Sequence, residues 1–82
     1  MTYDEARTTI QRYTVYRHFK GGLYQVDVIA KCEGTGKPIV IYHDMKKHGI
    51  TWARPADEWY EEMDTGQKRF EEVKIVPAMK GE

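Results

Sequence analysis

The 82-residue sequence has few of the features that mark secreted or membrane proteins. Its single cysteine, Cys32, excludes a disulfide framework or a thiolate metal cluster built within one chain, and suggests a reducing compartment. No apolar run approaches the roughly 18 residues that a membrane helix requires. Met1 precedes Thr-Tyr-Asp-Glu rather than a basic, apolar leader, so we expect a cytoplasmic protein without a membrane partner.

The chain also has no net charge, although its charges are unevenly distributed. Residues 1–54 contain nine Lys/Arg and five Asp/Glu, a net charge of +4, whereas residues 55–82 contain four and eight, a net charge of −4. A general nucleic-acid binder needs a dominant basic surface, because its affinity comes from counterion release. We therefore expect no nucleic-acid partner, whereas a small anion could be steered to one face.

The sequence contains no internal repeat, low-complexity tract or long linker, and 40% of its residues are hydrophobic. It therefore predicts one domain over residues 1–82. Within it we expect a helical extension at residues 1–13, a β-structured core at residues 14–76 and a tail at residues 77–82.

The extension begins with a helix signal. Thr2 followed by Glu5 fits a capping box, which predicts a short helix that ends near Arg12. The residues expected on its apolar face are Tyr3, Ala6 and Ile10.

Alternating apolar residues and turn signals predict five short strands in the core. They are expected at residues 14–20, 24–32, 38–44, 50–54 and 69–75, with a glycine turn at 21–22 and a helical turn at 56–63. This order is similar to that of an SH3-like barrel, and an OB-type barrel fits less well. The predicted fold is mainly β: a five-stranded, partly open SH3-like barrel with a short N-terminal helix.

The strand periodicity also predicts a core. The residues expected to point inward are Tyr24, Val26, Val28, Ala30, Ile39, Ile41 and Phe70. Cys32 continues the apolar face of the second strand, so we expect a buried and unreactive thiol.

Several blocks of residues resemble a bacterial family catalogued as domain of unknown function 1653. The matching blocks are Tyr16-Arg17-His18-Phe19-Lys20-Gly21, Tyr24-Gln25-Val26, Val40-Ile41-Tyr42, Trp52-Ala53-Arg54-Pro55 and Arg69-Phe70. They occur in the family's order over roughly residues 14–73. The resemblance implies a compact, mostly β domain with no established activity, and thus no catalytic residues to transfer.

The chain departs from that pattern directly after Tyr42. The family usually has Arg-Ala-Leu-Tyr-Gly there, whereas this chain has His-Asp-Met-Lys-Lys-His-Gly at residues 43–49. If this loop borders a site, its ligand preference can differ from that of relatives.

Trp52 and Arg54 are the strongest candidates for a binding site. Alternate residues of a strand share a face, so the indole and the guanidinium would be neighbours able to hold a planar or anionic group. The ligand-binding residues predicted on this basis are Tyr16, His18, Tyr42, Trp52 and Arg54. The alternative is structural, with Trp52 buried in the barrel and Arg54 paired with Asp57 or Glu58.

Two further polar clusters have weaker signals. The Gly21-Gly22 turn beside Arg17 and Lys20 could form a backbone nest for anions, or simply close a hairpin. His43, Asp44 and His48 match no common zinc spacing, so a solvated loop is expected and no metal site is predicted.

The sequence contains no nucleophile elbow, Walker loop, dinucleotide fingerprint or zinc-protease motif. The favoured hypothesis is a non-catalytic binding module that recognises a small anionic ligand or a partner segment, without a cofactor. One alternative is a small enzyme with His18 as general acid–base and Arg54 as electrostatic stabiliser. Another is a structural protein that pairs with another chain through its first or last strand.

Overall fold

The computed structural model describes residues 1–47 and 49–74 of the chain. It is mainly β, as predicted, with one short helix and one 3-10 turn. The elements are α1 (Tyr3–Thr9), β1 (Val15–His18), β2 (Leu23–Lys31), β3 (Pro38–Asp44), β4 (Thr51–Pro55), the 3-10 turn (Ala56–Glu58) and β5 (Phe70–Glu72). The predicted tail at residues 77–82 lies outside the described residues, as does Ile75 at the end of the fifth predicted strand.

The five strands form one antiparallel sheet in the order β4-β3-β2-β1-β5. From β1 to β4, each strand pairs with the strand that follows it in the chain. The last strand, β5, pairs with the free side of β1. The sheet is not closed, so β4 and β5 are its two edges. Within residues 1–47 and 49–74, no helix is both long and apolar enough to cross a membrane.

The predicted capping box is present at the start of α1. The backbone N–H of Glu5 donates to Thr2 Oγ1 at 3.1 Å, and that of Thr2 donates to Glu5 Oε1 at 2.7 Å. The helix is shorter than expected and has Ile10 as its C-cap. Ala6 and Ile10 are fully buried, so the predicted apolar face does pack against the core.

The glycine turn between β1 and β2 is present as predicted. Gly21 and Gly22 have φ angles of 94° and 88°, which residues with a Cβ atom rarely adopt. The N–H of Gly21 donates to the carbonyl of His18 at 2.8 Å and closes the turn.

The predicted inward face of β2 is correct only in the first half of the strand. Val26 is fully buried, but a β-bulge between Val26 and Val28 shifts the alternation by one residue. Ile29 is therefore inward and Val28 is 38% exposed. Cys32 is consequently half-buried rather than buried, and hydrogen bonds from Thr35 lower the pKa of its thiol.

In β3 the inward residues are Val40 and Tyr42, not the predicted Ile39 and Ile41. Three consecutive β-branched residues occupy positions 39–41, so hydrophobicity alone could not identify the buried side of this strand. Pairing with β2 beyond the bulge sets the orientation, because Ile29 lies opposite Val40.

Aromatic rings fill much of the core. Trp59 follows the 3-10 turn, is fully buried and stacks on Phe70 with ring centroids 3.9 Å apart. The helical turn predicted at residues 56–63 ends early, because residues 61–69 form a hairpin instead. In that hairpin the N–H of Met63 donates to Gln67, and the N–H of Arg69 donates to Glu61.

Candidate functional site

The sheet register places the five predicted binding residues on one face. Tyr42 of β3 lies opposite Trp52 of β4, and Arg54 follows Trp52 by two residues on the same side. The register continues through β2 to Tyr16 in β1, and His18 again follows by two residues. We call this set of residues on one face of the sheet, His18, Trp52 and Arg54 together with Tyr16 and Tyr42, the aromatic–basic face.

Tyr16 and Tyr42 belong to the core rather than to the surface. Tyr16 is 1% exposed, and its hydroxyl shares a hydrogen bond of 2.8 Å with that of Tyr60. Burial, followed by this hydrogen bond, raises the pKa of Tyr16 above its ordinary value. Tyr42 is 7% exposed and packs edge-on against Trp59 at 4.9 Å. These two rings are therefore almost inaccessible to a ligand, although they lie on the same side of the sheet as Trp52 and Arg54.

Trp52 has the opposite environment. It is 48% exposed on β4, although its partner across the strand pair is the buried Tyr42. Ile50 and Met45, from the loop before β4, are also exposed at 53% and 38%. The structural alternative placed Trp52 inside a barrel, but much of its ring is available for contact with a ligand.

Arg54 combines features of both interpretations. Its Nη1 donates to Glu58 Oε1 at 2.8 Å, so the ion pair expected from the structural alternative is present. However, Nε of Arg54 is buried and has no hydrogen-bond partner among the residues described. The guanidinium is therefore held by the ion pair at Nη1, whereas its Nε has no hydrogen-bond partner among the described residues.

His18 is half-buried beside the rings of Phe19 and Phe70, with centroids 4.6 Å and 4.9 Å away. Burial lowers the pKa of His18 below 6.5, and the charges of Arg69 and Arg54 lower it further. The imidazole is therefore mostly neutral at pH 7. Its Nδ1 accepts the N–H of Lys20 at 3.2 Å, which assigns the proton to Nε2. His18 thus offers one neutral N–H donor.

Arg69 is a functional candidate that the sequence reasoning did not include. Its Nη2 donates to Glu61 Oε1 at 2.6 Å, and its buried Nε has no partner in the part of the chain that is described. Among the nearby charges that lower the pKa of His18, the charge of Arg69 has the largest effect. The turn residues around Gly66 could have indicated a hairpin that brings Glu61 and Arg69 together. The sequence analysis assigns residues 56–63 to a helical turn instead.

Two donors of the glycine turn are not available for the anion nest that the sequence suggests as one alternative. The N–H of Lys20 donates to the His18 ring, and the N–H of Gly21 donates to the His18 carbonyl. Both donors are therefore used within the turn.

The residues considered for a metal site have other partners. His43 Nδ1 lies 2.9 Å from Asp27 Oδ1. Asp44 Oδ1 accepts the backbone N–H groups of Lys46 and Lys47, and these hydrogen bonds lower the pKa of Asp44. His48 lies outside the described residues. Among residues 1–47 and 49–74, no group of three or more potential ligands comes together.

Comparison with known proteins identifies the family. A family model described as "Protein of unknown function (DUF1653)" matches residues 14–72. The chain belongs to the DUF1653 family. A crystal structure of a DUF1653 protein from Bordetella bronchiseptica is similar to it, with 34% sequence identity and a TM-score of 0.67. The match covers 80% of this chain and 91% of that one.

No curated protein matches this DUF1653 chain. The family match contains the whole aromatic–basic face together with Arg69, whereas α1 precedes it. The face is therefore part of the family domain, and the helix lies outside the matched region.

Proposed function

We propose that this DUF1653 protein is a non-catalytic binding module that recognises an anionic group, on a small ligand or a partner segment, through the aromatic–basic face. One observation carries the proposal: the half-exposed Trp52 lies two residues from Arg54, whose buried Nε has no partner among the described residues. An indole beside an unsatisfied guanidinium is suited to a flat or anionic group.

Unsatisfied donors supply the energetic argument. A buried N–H without a partner costs about 1–3 kcal/mol, and an oxyanion that reaches it removes that cost. Arg54 and Arg69 each have such an Nε, and both charges act on His18. Glu58 and Glu61 hold the two guanidiniums in place and neutralise part of their charge. Because both Nε atoms are buried, an incoming oxygen would reach them only after the side chains that cover them move, while the ion pairs keep the two guanidiniums ordered.

The neutral state of His18 adds selectivity. A neutral imidazole donates one N–H without a further positive charge, so it suits a carboxylate or phosphate oxygen next to two arginines. The same neutral ring would suit proton transfer, and the alternative of a small enzyme with His18 as acid–base remains a rival prediction.

The strand order supports the hypothesis of an SH3-like fold. In the order β4-β3-β2-β1-β5, the last strand pairs with the first and the 3-10 turn precedes it. This arrangement is similar to the SH3-like order, and we propose that the open sheet is a curled variant of that barrel. Such a likeness carries no function by itself.

A second candidate function has support from β4. This strand pairs with β3 on one side and is an edge of the sheet on the other. Four of its five residues are exposed, Arg54 being the exception. A partner strand could add along this edge through backbone hydrogen bonds, while Trp52 and Arg54 contact its side chains.

Substitution of Arg54 tests the proposal. Titrations of the wild type, Arg54→Lys and Arg54→Ala against a panel of nucleotides and acidic peptides should show saturable binding by the wild type. We expect Arg54→Lys to bind about tenfold or more weakly, because lysine retains the charge but loses the planar fork. Its melting temperature should change little.

Arg17→Lys and Arg17→Ala are the matched controls. Arg17 lies between Tyr16 and His18 in β1, so its exposed side chain projects to the opposite face of the sheet. These variants should bind like the wild type. Equal weakening by the Arg17 and Arg54 variants, or no binding by the wild type, would refute recognition at this face. Loss of stability without any bound ligand would make Arg54 a structural residue.

A further inference from the structure

A groove lies between α1 and β2, and the residues that line it are Tyr3, Arg7, Ile10, Arg12, Val28 and Ile29. Its volume is about 430 Å³, which falls within the range of small-molecule sites. It shares no residue with the aromatic–basic face. Residues 3–12 form one wall and precede the region of the family match, whereas β2 forms the other.

The base of the groove is apolar. Ile10 and Ile29 are buried, and the β-bulge turns Val28 outward, where it is 38% exposed. A regular β2 strand would place Val28 in the core and remove this surface. The bulge therefore provides the groove with an accessible aliphatic contact.

Two arginines, Arg7 and Arg12, line the groove beside this apolar base. The Arg12 Nε donates to the carbonyl of Asp27 at 2.9 Å, and its guanidinium lies 4.9 Å from the centroid of the Tyr13 ring. These contacts hold Arg12 in position. They use neutral groups, so its positive charge is not neutralised by them.

Two cations lie at Tyr3. The Arg7 guanidinium is 5.4 Å from the centroid of that ring, and Lys31 Nζ is 4.9 Å from it. Arg7 also forms an ion pair with Asp4, but at 3.8 Å between largely exposed side chains this contact is weak. The Tyr3 ring thus has two positively charged groups over it. Because cations outnumber anions here, the groove favours an anionic ligand.

We propose that this groove binds a small molecule with a carboxylate or phosphate head and a flat apolar body. Arg7 and Arg12 would hold the oxygens of the head, because guanidinium groups match the geometry of such oxyanions. The body would lie over Val28 and beside Tyr3. This site is independent of the proposed function, since it uses neither Trp52 nor Arg54.

Amide chemical-shift titrations with phenyl phosphate and with benzoate test the site and compare the two heads. Saturable shifts at Ile10, Val28 and Ile29 are expected for at least one of them. Inorganic phosphate lacks the apolar body and benzyl alcohol lacks the charge, so both should bind more weakly. If benzyl alcohol binds as well as the anions, or if no probe gives saturable shifts at millimolar concentration, the proposal is wrong.

Arginine variants locate the binding residues. Arg12→Gln and Arg7→Gln should each weaken the better probe by about tenfold, a typical effect of removing one charge-assisted contact. Arg17→Gln removes an exposed arginine of β1 and should have no effect. Arg54→Ala should also have no effect, so a failure of this site is distinguishable from a failure at the aromatic–basic face. Shifts that cluster around Trp52 instead would overturn the assignment.

Discussion

The core has an aromatic region and a helical region, and the two are built differently. In the aromatic region, Tyr16, Tyr42, Trp59 and Phe70 come from three strands and the segment after the 3-10 turn. Their rings meet in one cluster with centroid distances from 3.9 to 5.4 Å. In the helical region, α1 contributes only Ala6 and the adjoining residue Ile10 to the buried core.

This difference has a thermodynamic consequence. The aromatic contacts join three strands of the sheet to the segment after the 3-10 turn, so their loss would weaken the packing of the whole sheet. A helix of seven residues is marginal in isolation and can detach while the sheet remains. The aromatic region should therefore determine global stability, whereas the helical region should open locally.

The largest expected effect is that of Trp59→Ala. Loss of a fully buried indole typically costs about 3–5 kcal/mol, against a total stability of about 4–12 kcal/mol for a chain of this length. Trp59→Ala should therefore be largely unfolded or melt far below the wild type in circular dichroism. Trp52→Ala is the matched control, because Trp52 is 48% exposed and its removal should change the melting temperature little.

Trp59→Phe should lie between these two, since it retains a ring that can stack on Phe70. Similar losses from Trp59→Ala and Trp52→Ala would contradict the central role of the aromatic cluster.

The second effect, expected to be smaller, is that of Ile10→Ala. The side chain is fully buried, and its truncation would cost about 2 kcal/mol, near the lower limit for such changes, because the helix can shift to reduce the cavity. Hydrogen exchange should show faster exchange in α1 and little change in β2 and β3. Ile50→Ala, at a position that is 53% exposed, is the control and should leave both regions unchanged. Equal loss of protection in the sheet would show that the two regions unfold together.

The same contrast explains what the sequence could predict. The capping box at Thr2 and the turn at Gly21-Gly22 depend on neighbouring residues, and both were correctly predicted. The inward face of β2 was correct up to Val26 and wrong after the bulge. The bulge arises in the pairing of β2 with β3, so the periodicity of β2 alone cannot predict it.

Prediction of the site had the same limit. Alternation places Trp52 and Arg54 on one face of β4, and cross-strand pairing brings His18 to the same face of the sheet. Whether a ring is covered depends on what packs over it, so the burial of Tyr16 and Tyr42 beneath Trp59 could not be read from strand patterns. Arg69 was missed because its partner Glu61 was assigned to a helical turn rather than to a hairpin.

The smallest expected effect concerns the capping box and depends on pH. Hydrogen bonds from the backbone and side chain of Thr2 hold the pKa of Glu5 below its ordinary value of 4.5. A carboxylate whose pKa is depressed by folding stabilises the folded state above its unfolded pKa. That contribution is lost as the pH falls through the folded pKa. Protection of α1 amides should therefore decrease below pH 4.5, while the sheet is unaffected.

Two variants separate Glu5 from its surroundings. Glu5→Gln can retain a hydrogen bond to Thr2 but does not titrate, so the protection of α1 should lose most of its pH dependence in this range. Asp57 also has a lowered pKa, because it pairs with the amino group of Met1 beside the helix. Asp57→Asn removes that titration and should leave the contribution of Glu5 intact. If Asp57→Asn rather than Glu5→Gln abolishes the pH dependence, the acid sensitivity of α1 arises from the anchored N-terminus. The helical region would then depend on a contact with the residues of the 3-10 turn, and the separation between the two regions of the core would be weaker than their packing indicates.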